Sequence, residues 1–117
     1  MSTTYANGSV PASDLAPLDG QPDAQLRADA AAAWNRARAA VTARTGITLR
    51  VRGWNRTLAE QERFFHERYE PRKTGGTDVR WYKGVRYARV RGAAAAIPGT
   101  SNHGWGVAID VEDYGTV

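Results

Sequence analysis

The longest regular pattern in this 117-residue sequence is helical and covers residues 23–45. Apolar side chains recur there at intervals of three and four, which is the spacing of one helix face. They are Leu26, Ala30, Ala33, Trp34, Ala37 and Val41. Asp23 is placed to cap the start of this helix and Gly46 to end it. Because a chain of this length forms one domain, the shorter patterns on either side must cover the helix.

The patterns that follow this helix are short and alternate between strand and helix. Residues 47–54, ITLRVRGW, alternate apolar and polar side chains and predict a strand. Thr57 and Glu60 have the spacing of a capping box, which predicts a second helix that ends before Pro71. The later patterns predict a hairpin that turns at Lys83-Gly84, a short helix at Ala93–Ala96 and a strand at Val107–Val111.

These elements predict an α+β fold with a small antiparallel sheet and two main helices. Residues 1–22 are rich in Gly, Pro, Ser and Thr, and we expect them to form an arm or loop that packs through Leu15 and Leu18. Residues 23–117 would then form the body of a single domain.

Composition limits the classes of function. The absence of cysteine excludes disulfides, thiolate metal sites and thiol nucleophiles. The net charge of +4 favours anionic partners, among which nucleic acid and the anionic polymers of a bacterial wall are both admissible. No apolar run approaches the length of a membrane span, so we expect a soluble protein without a membrane partner. The first residues also lack the pattern of a signal peptide.

Residues 98–111, PGTSNHGWGVAIDV, carry a chemical pattern. His103 lies in a glycine-rich turn, and Asp110 follows seven residues later within an apolar run. Imidazole and carboxylate are common zinc ligands, and strand alternation would turn Asp110 away from the core side, next to the small Ala108. On spacing alone, a surface histidine and a turn-forming aspartate remain open alternatives.

The segment SNHGWGVAID resembles the motif Ser-x-His-x-x-Gly-x-Ala-x-Asp of zinc peptidases that include VanY-like D-alanyl-D-alanine carboxypeptidases and phage L-alanyl-D-glutamate endolysins. RGWNRTLAEQ is similar to the family's Gly-Tyr-Arg-Ser-x-x-Glu-Gln segment, with Trp54 for the tyrosine and one extra residue before Arg56. The resemblance covers nearly the whole chain and is strongest to phage-encoded domains. It implies the zinc peptidase fold, synthesis in the host cytoplasm and action on the cell wall.

The resemblance also implies roles for single residues. His103 and Asp110 match the first two zinc ligands. Arg56 matches an arginine that faces the substrate, where its guanidinium would stabilise charge on the scissile carbonyl or hold a peptide carboxylate. Gln61 and Ser101 match pocket positions that bind substrate. His66 matches no ligand, and we expect it on a solvated helix face.

The sequence departs from the family after Asp110. The family has a third histidine ligand there, preceded by an acidic general base, whereas only VEDYGTV follows in this sequence. We therefore expect a C-terminally incomplete fold whose third ligand and base lie in a C-terminal segment or on a second polypeptide. A degenerate domain that only binds wall peptide is one alternative. The other is that Glu112 or Asp113 replaces the missing ligand or base.

The sequence thus predicts a zinc-dependent hydrolase of peptidoglycan stem peptides, of the carboxypeptidase or endolysin type, that is weakly active as this chain alone. The alternative is a non-catalytic cell-wall-binding or virion-assembly module with the same fold. Nucleic-acid binding is a third hypothesis, since aromatic residues alternate with arginines around Trp81, Tyr82 and Tyr87. We instead expect no nucleic-acid partner and interpret that stretch as a flap packed over the active site.

Overall fold

Two α-helices and three small antiparallel sheets make up the part of the chain, residues 5–112, that the computed structural model describes. The elements are β1 (Leu15–Leu18), β2 (Gln21–Arg27), α1 (Ala28–Thr45), β3 (Val51–Gly53), α2 (Leu58–Arg68), β4 (Tyr69–Pro71), β5 (Val79–Tyr82), β6 (Val85–Arg89) and β7 (Asp110–Val111). Strand β1 pairs with β2, β3 pairs with β7, and β6 lies between β4 and β5. This arrangement confirms the α+β class with two main helices. Neither helix is long and apolar enough to cross a membrane.

A β-hairpin occupies the place where a loop and a helix start were expected. Residues 21–27 pair with β1, and Ala24 and Leu26 point inward while Gln25 stays exposed. The expected cap at Asp23 is therefore wrong, and α1 begins at Ala28. The cause is the two-residue period of β2, which buries Ala24 and Leu26 against the core and outweighs the helical spacing that runs through Leu26.

The main apolar core lies between this hairpin and α1. It consists of Leu18, Ala24, Leu26, Ala31 and Val51, with Trp34, Trp54 and Ile109 packed against it. Ala33 and Ala37, which were expected on the buried face of α1, are exposed. Polar side chains take part of that face instead, because Asn35 accepts a hydrogen bond from the Asp19 amide at 2.9 Å.

The strand expected over residues 47–54 is shorter than its pattern predicts. Strand β3 covers only Val51–Gly53, and its partner β7 covers only Asp110–Val111 rather than Val107–Val111. The Gln21 carboxamide accepts from the Val51 amide at 2.8 Å and donates to the Val51 carbonyl at 2.9 Å. A side chain thus satisfies backbone groups that a neighbouring strand would otherwise pair, so the sheet ends there.

Helix α2 and the following sheet form a second, smaller core. The predicted capping box between Thr57 and Glu60 is present at the start of α2. Phe65 is fully buried and its ring stacks on that of Tyr69, with centroids 4.6 Å apart. The α2 helix therefore presents an aromatic face to the sheet formed by β4, β6 and β5.

The predicted hairpin of β5 and β6 turns at Lys83-Gly84, as expected. Tyr82 and Tyr87 meet the Phe65 ring edge-on, whereas Trp81 faces solvent and is 64% exposed. The two tyrosines are therefore packed on α2 and Trp81 is not packed, whereas the expected position of this stretch over the active site stays a prediction.

The short helix expected at Ala93–Ala96 is wrong, because the chain there has no regular structure. Gly92 adopts a positive φ of 68°, and the Ala95 amide donates to the Tyr69 hydroxyl at 3.4 Å rather than to a helical carbonyl. This segment therefore follows the surface of α2 and β4 as an irregular connection to the His103 loop.

One carboxylate organises the edge of the second core. Asp78 accepts hydrogen bonds from the Tyr69 hydroxyl at 2.6 Å and from Arg80 Nε at 2.8 Å, and it pairs with Arg89 Nε at 3.0 Å. The Tyr69 hydroxyl, followed by these cations, holds the pKa of Asp78 below its usual range. The folded state therefore favours the ionised carboxylate.

We predict that Asp78→Asn lowers the free energy of unfolding by about 1 kcal/mol or more at pH 7, because a charged acceptor is lost. A carboxylate with a lowered pKa stabilises the fold above its unfolded pKa of about 3.9 and loses that contribution as the pH falls through its folded value. Urea unfolding at pH 7 and at pH 3 measures the effect. The difference in the free energy of unfolding between wild type and variant should be smaller at pH 3 than at pH 7. An equal difference at both pH values would contradict the lowered pKa of Asp78.

Candidate functional site

His103 lies on a 3-10 helix, Asn102–Trp105, whose ends the local sequence fixes. The Ser101 hydroxyl caps its start by accepting a hydrogen bond from the His103 amide at 3.2 Å. Gly106 ends it in the left-handed conformation, with a φ of 76°. At Gly104 an added Cβ would lie 1.9 Å from Asn7 Oδ1, so only glycine fits. Serine and glycines thus set the position of the imidazole.

The orientation of the His103 ring is fixed by a backbone carbonyl. His103 Nδ1 lies 3.0 Å from the Trp54 carbonyl oxygen. A carbonyl can only accept, so Nδ1 carries the proton and donates it. Nε2, on a side chain that is only 13% exposed, then lies on the side of the ring that faces Asp110. An imidazole held this way by a carbonyl is the usual arrangement of a metal-ligating histidine.

Asp110 reaches His103 because β7 pairs with β3. Its partner in the register is Gly53, and a Cβ at that position would lie 2.5 Å from Asp110 Oδ2. The absence of a side chain at Gly53 therefore lets the carboxylate lie across the strand, where Oδ2 is 3.2 Å from His103 Nε2. The structure brings together the two residues that the sequence proposed as ligands.

The geometry of this pair fits two ligands of a zinc ion. Two ligands bound at about 2.0–2.1 Å in tetrahedral geometry are separated by about 3.3 Å. His103 Nε2 and Asp110 Oδ2 lie 3.2 Å apart, so both atoms are close enough to bind one metal ion. Asp110 is 52% exposed, which leaves its outer side open to further ligands.

Two ligands do not complete a zinc site. Within residues 5–112, no cluster of three or more His, Asp or Glu side chains could hold a metal. Glu112, one of the two expected substitutes, pairs with Arg50 Nε at 3.6 Å and forms no such cluster. Asp113, the other, lies outside the described residues.

A buried network of amides holds the His103 loop against α2. Gln61, which is 3% exposed, donates to Asn7 Oδ1 at 3.0 Å and to the Arg56 carbonyl at 3.2 Å. Its Oε1 accepts from the amides of Gly99 at 2.9 Å and Ser101 at 3.4 Å. Asn7 in turn donates to the Ser101 carbonyl at 2.7 Å. Every polar atom of the Gln61 side chain is therefore used inside the protein.

Arg56 lies beside this network and close to the candidate metal ligands. Its amide donates to the His103 carbonyl at 3.0 Å, and its guanidinium lies over the Phe64 ring, 4.8 Å from the centroid. Arg56, Gln61 and Ser101 line one small cleft together with Phe64. The structure thus groups all three non-metal residues that the sequence proposed, and their contacts with substrate stay a prediction.

Three contributors to the site escaped the sequence analysis: Asn7, the Trp54 carbonyl and Gly53. Asn7 stands in an Asn-Gly pair, which by itself indicates only a turn. Trp54 acts through its backbone, which no side-chain pattern reveals. Gly53 interrupts the predicted strand, because glycine has a low strand propensity. A glycine within a strand can signal the close approach of another group.

His66 lies away from this site, as expected from the sequence. Its side chain is 46% exposed, and its Nε2 lies 3.2 Å from Glu62 Oε2 on the preceding turn of α2. The Tyr82 hydroxyl donates to the other oxygen of Glu62. This hydrogen bond is the main reason why the pKa of the Glu62 carboxyl lies below its usual value. These groups join the hairpin to α2.

Comparison with known proteins gives one match. A family model described as VanY, D-alanyl-D-alanine carboxypeptidase, matches residues 23–116, which is most of the chain and includes the whole candidate site except Asn7. No curated protein and no solved structure matches.

We predict that Gln61→Leu lowers the free energy of unfolding by about 2–3 kcal/mol, because it leaves the Asn7 carbonyl and two loop amides buried without partners. Gln61→Glu is the matched variant, since it keeps the acceptor for Gly99 and Ser101 and replaces the donor to Asn7 and Arg56 by an oxygen. Hydrogen exchange at the Gly99 and Ser101 amides should therefore accelerate in the leucine variant far more than in the glutamate variant. Equal protection in both variants would contradict the role of Gln61 as their acceptor.

Proposed function

This chain belongs to the VanY family of D-alanyl-D-alanine carboxypeptidases, and we propose that it is a zinc-dependent hydrolase of peptidoglycan stem peptides. Membership makes it one of a family of peptidases that act on peptidoglycan. The finer proposal rests above all on one observation. His103 Nε2, oriented by the Trp54 carbonyl, lies 3.2 Å from Oδ2 of the half-exposed Asp110.

His103 and Asp110 would hold the zinc ion in this proposal. In such sites, zinc supplies Lewis-acid chemistry: it activates water near neutral pH and polarises the scissile carbonyl. The third ligand and the general base would come from outside residues 5–112, since the described part of the chain contributes only two ligands.

Arg56 would act on the substrate. Its guanidinium is packed on Phe64, and no carboxylate of residues 5–112 pairs with it, so its charge is not neutralised. The hydrogen bond from its amide to the His103 carbonyl ties its backbone to the candidate metal loop. A cation in this place can stabilise the charge that grows on the carbonyl oxygen, or hold a carboxylate of the stem peptide.

Gln61 and Ser101 would contribute in a different way. Both are buried, and their hydrogen bonds hold the His103 loop in place. We infer that they act first as positioning residues at the base of the cleft. The resemblance further favours an endolysin-type enzyme encoded by a phage and acting on the bacterial wall, as part of the same proposal.

One observation favours a second candidate function, a wall-binding module without catalysis. The described residues lack a third metal ligand, and two protein ligands rarely hold a catalytic zinc tightly. Such a module would bind purified peptidoglycan without releasing peptide fragments or D-alanine.

We predict that the protein binds one zinc ion per chain and that Asp110→Ala abolishes this binding. Gly53→Ala should weaken zinc binding about tenfold or more, because the new methyl group displaces the carboxylate while both ligands stay in the sequence. Titration of metal-free protein against a competing chelator measures the affinity. Weak binding that neither substitution changes would contradict the assignment of these ligands.

We predict that zinc-dependent release of products from purified peptidoglycan disappears in His103→Ala. Arg56→Ala should lower the rate about 100-fold, as expected for a group that stabilises developing charge. Arg63→Ala is the matched control, since Arg63 also lies over the Phe64 ring but pairs with Glu67. Unchanged turnover in Arg56→Ala would remove Arg56 from the mechanism, and binding without any release would support the wall-binding module.

A further inference from the structure

A groove on the β4-β6-β5 sheet shares no lining residue with the candidate metal site. It has a cavity volume of about 480 Å3 and runs between the segment after β4 and the tip of the β5-β6 hairpin. Its walls include Arg72, Lys73, Trp81, Val85 and Arg86. This volume lies within the range of about 300–1,000 Å3 that is typical of ligand pockets.

Trp81 faces this groove because of the strand alternation in β5. Its neighbours Arg80 and Tyr82 point to the opposite side, where Arg80 lies over the Tyr69 ring and Tyr82 contacts Phe65. Trp81 is directly paired with Arg86 on β6 and stays 64% exposed. An exposed indole beside a cation on a rigid sheet offers a flat surface for stacking.

The groove is positively charged and carries no acidic side chain in its lining. Arg86 is fixed by donating to the carbonyls of Arg72 at 2.9 Å and Gly75 at 2.7 Å, and no carboxylate of residues 5–112 pairs with it. Lys73 is exposed and pairs with no acid of residues 5–112. Arg72 alone is neutralised, by Glu70 at 2.9 Å. The lining therefore favours an anionic ligand.

We propose that this groove is a second binding site for the peptidoglycan polymer, with a sugar ring stacked on Trp81 and stem-peptide carboxylates bound by Arg86 and Lys73. The choice of polymer rests on the proposed function. Nucleic acid is a weaker fit, because strand binding stacks successive bases on several aromatic side chains. Tyr82 and Tyr87 point into the protein instead, which leaves Trp81 as the only aromatic side chain in the lining of this groove.

The test is co-sedimentation of the full chain with purified, insoluble peptidoglycan, a measurement that requires no hydrolysis. Trp81→Ala should weaken binding about tenfold, as is typical when an aromatic anchor is truncated. Lys73→Gln should weaken binding severalfold, whereas the matched control Lys83→Gln, which removes the same charge outside the groove lining, should not. Because Trp81 is exposed, its replacement leaves the fold intact, and the melting temperature checks this.

A second measurement separates this proposal from the proposed function. Cleavage of a short, soluble stem peptide without sugar should be the same in Trp81→Ala and in the wild type. If wild type and Trp81→Ala sediment equally, the groove proposal is wrong, even if the peptide is cleaved. If Trp81→Ala loses binding to a single-stranded oligonucleotide but keeps binding to peptidoglycan, the groove serves nucleic acid and the proposal is overturned. Failure to cleave the peptide, with sedimentation that depends on Trp81, would contradict only the proposed hydrolysis.

Discussion

The Gln61 carboxamide is the interaction on which the site depends. It joins three segments that are distant in the sequence: the N-terminal turn at Asn7, the backbone before α2, and the loop that leads to His103. Since the group is 3% exposed, each of its hydrogen bonds forms in a low-dielectric interior, where an unpaired partner would be costly. A single side chain of α2 thereby fixes the distance between the helix and the candidate metal loop.

Side-chain hydrogen bonds replace sheet structure elsewhere in the fold as well. The Gln21 carboxamide pairs with both backbone groups of Val51, and Arg38 Nε donates to the Leu49 carbonyl at 3.0 Å. The main apolar cluster is small, so these polar contacts carry the connection between the N-terminal hairpin, α1 and β3. Strands as short as β3 and β7 can therefore hold Gly53 and Asp110 in register.

The two faces of the molecule have different chemical character. At the candidate metal site, a nearly buried imidazole meets an exposed carboxylate, and an arginine that pairs with no acid of residues 5–112 lies beside them. On the β4-β6-β5 sheet, an exposed indole lies among cations. Both surfaces suit an anionic, extended substrate better than a small neutral one, which agrees with membership in a family that acts on peptidoglycan.

The sequence by itself determined the fold class, the start of α2 and the β5-β6 turn, and its resemblance to a known family named most of the residues that meet at the site. Local patterns encode the helix start and the turn, because a capping box or a Lys-Gly turn depends on neighbours in the chain. Tertiary structure alone decided that residues 21–27 form a strand and that Gly53 makes room for Asp110. Both outcomes depend on packing between segments distant in sequence. Residues 21–27 carry a helical and a two-residue spacing together, and pairing with β1 selects the strand.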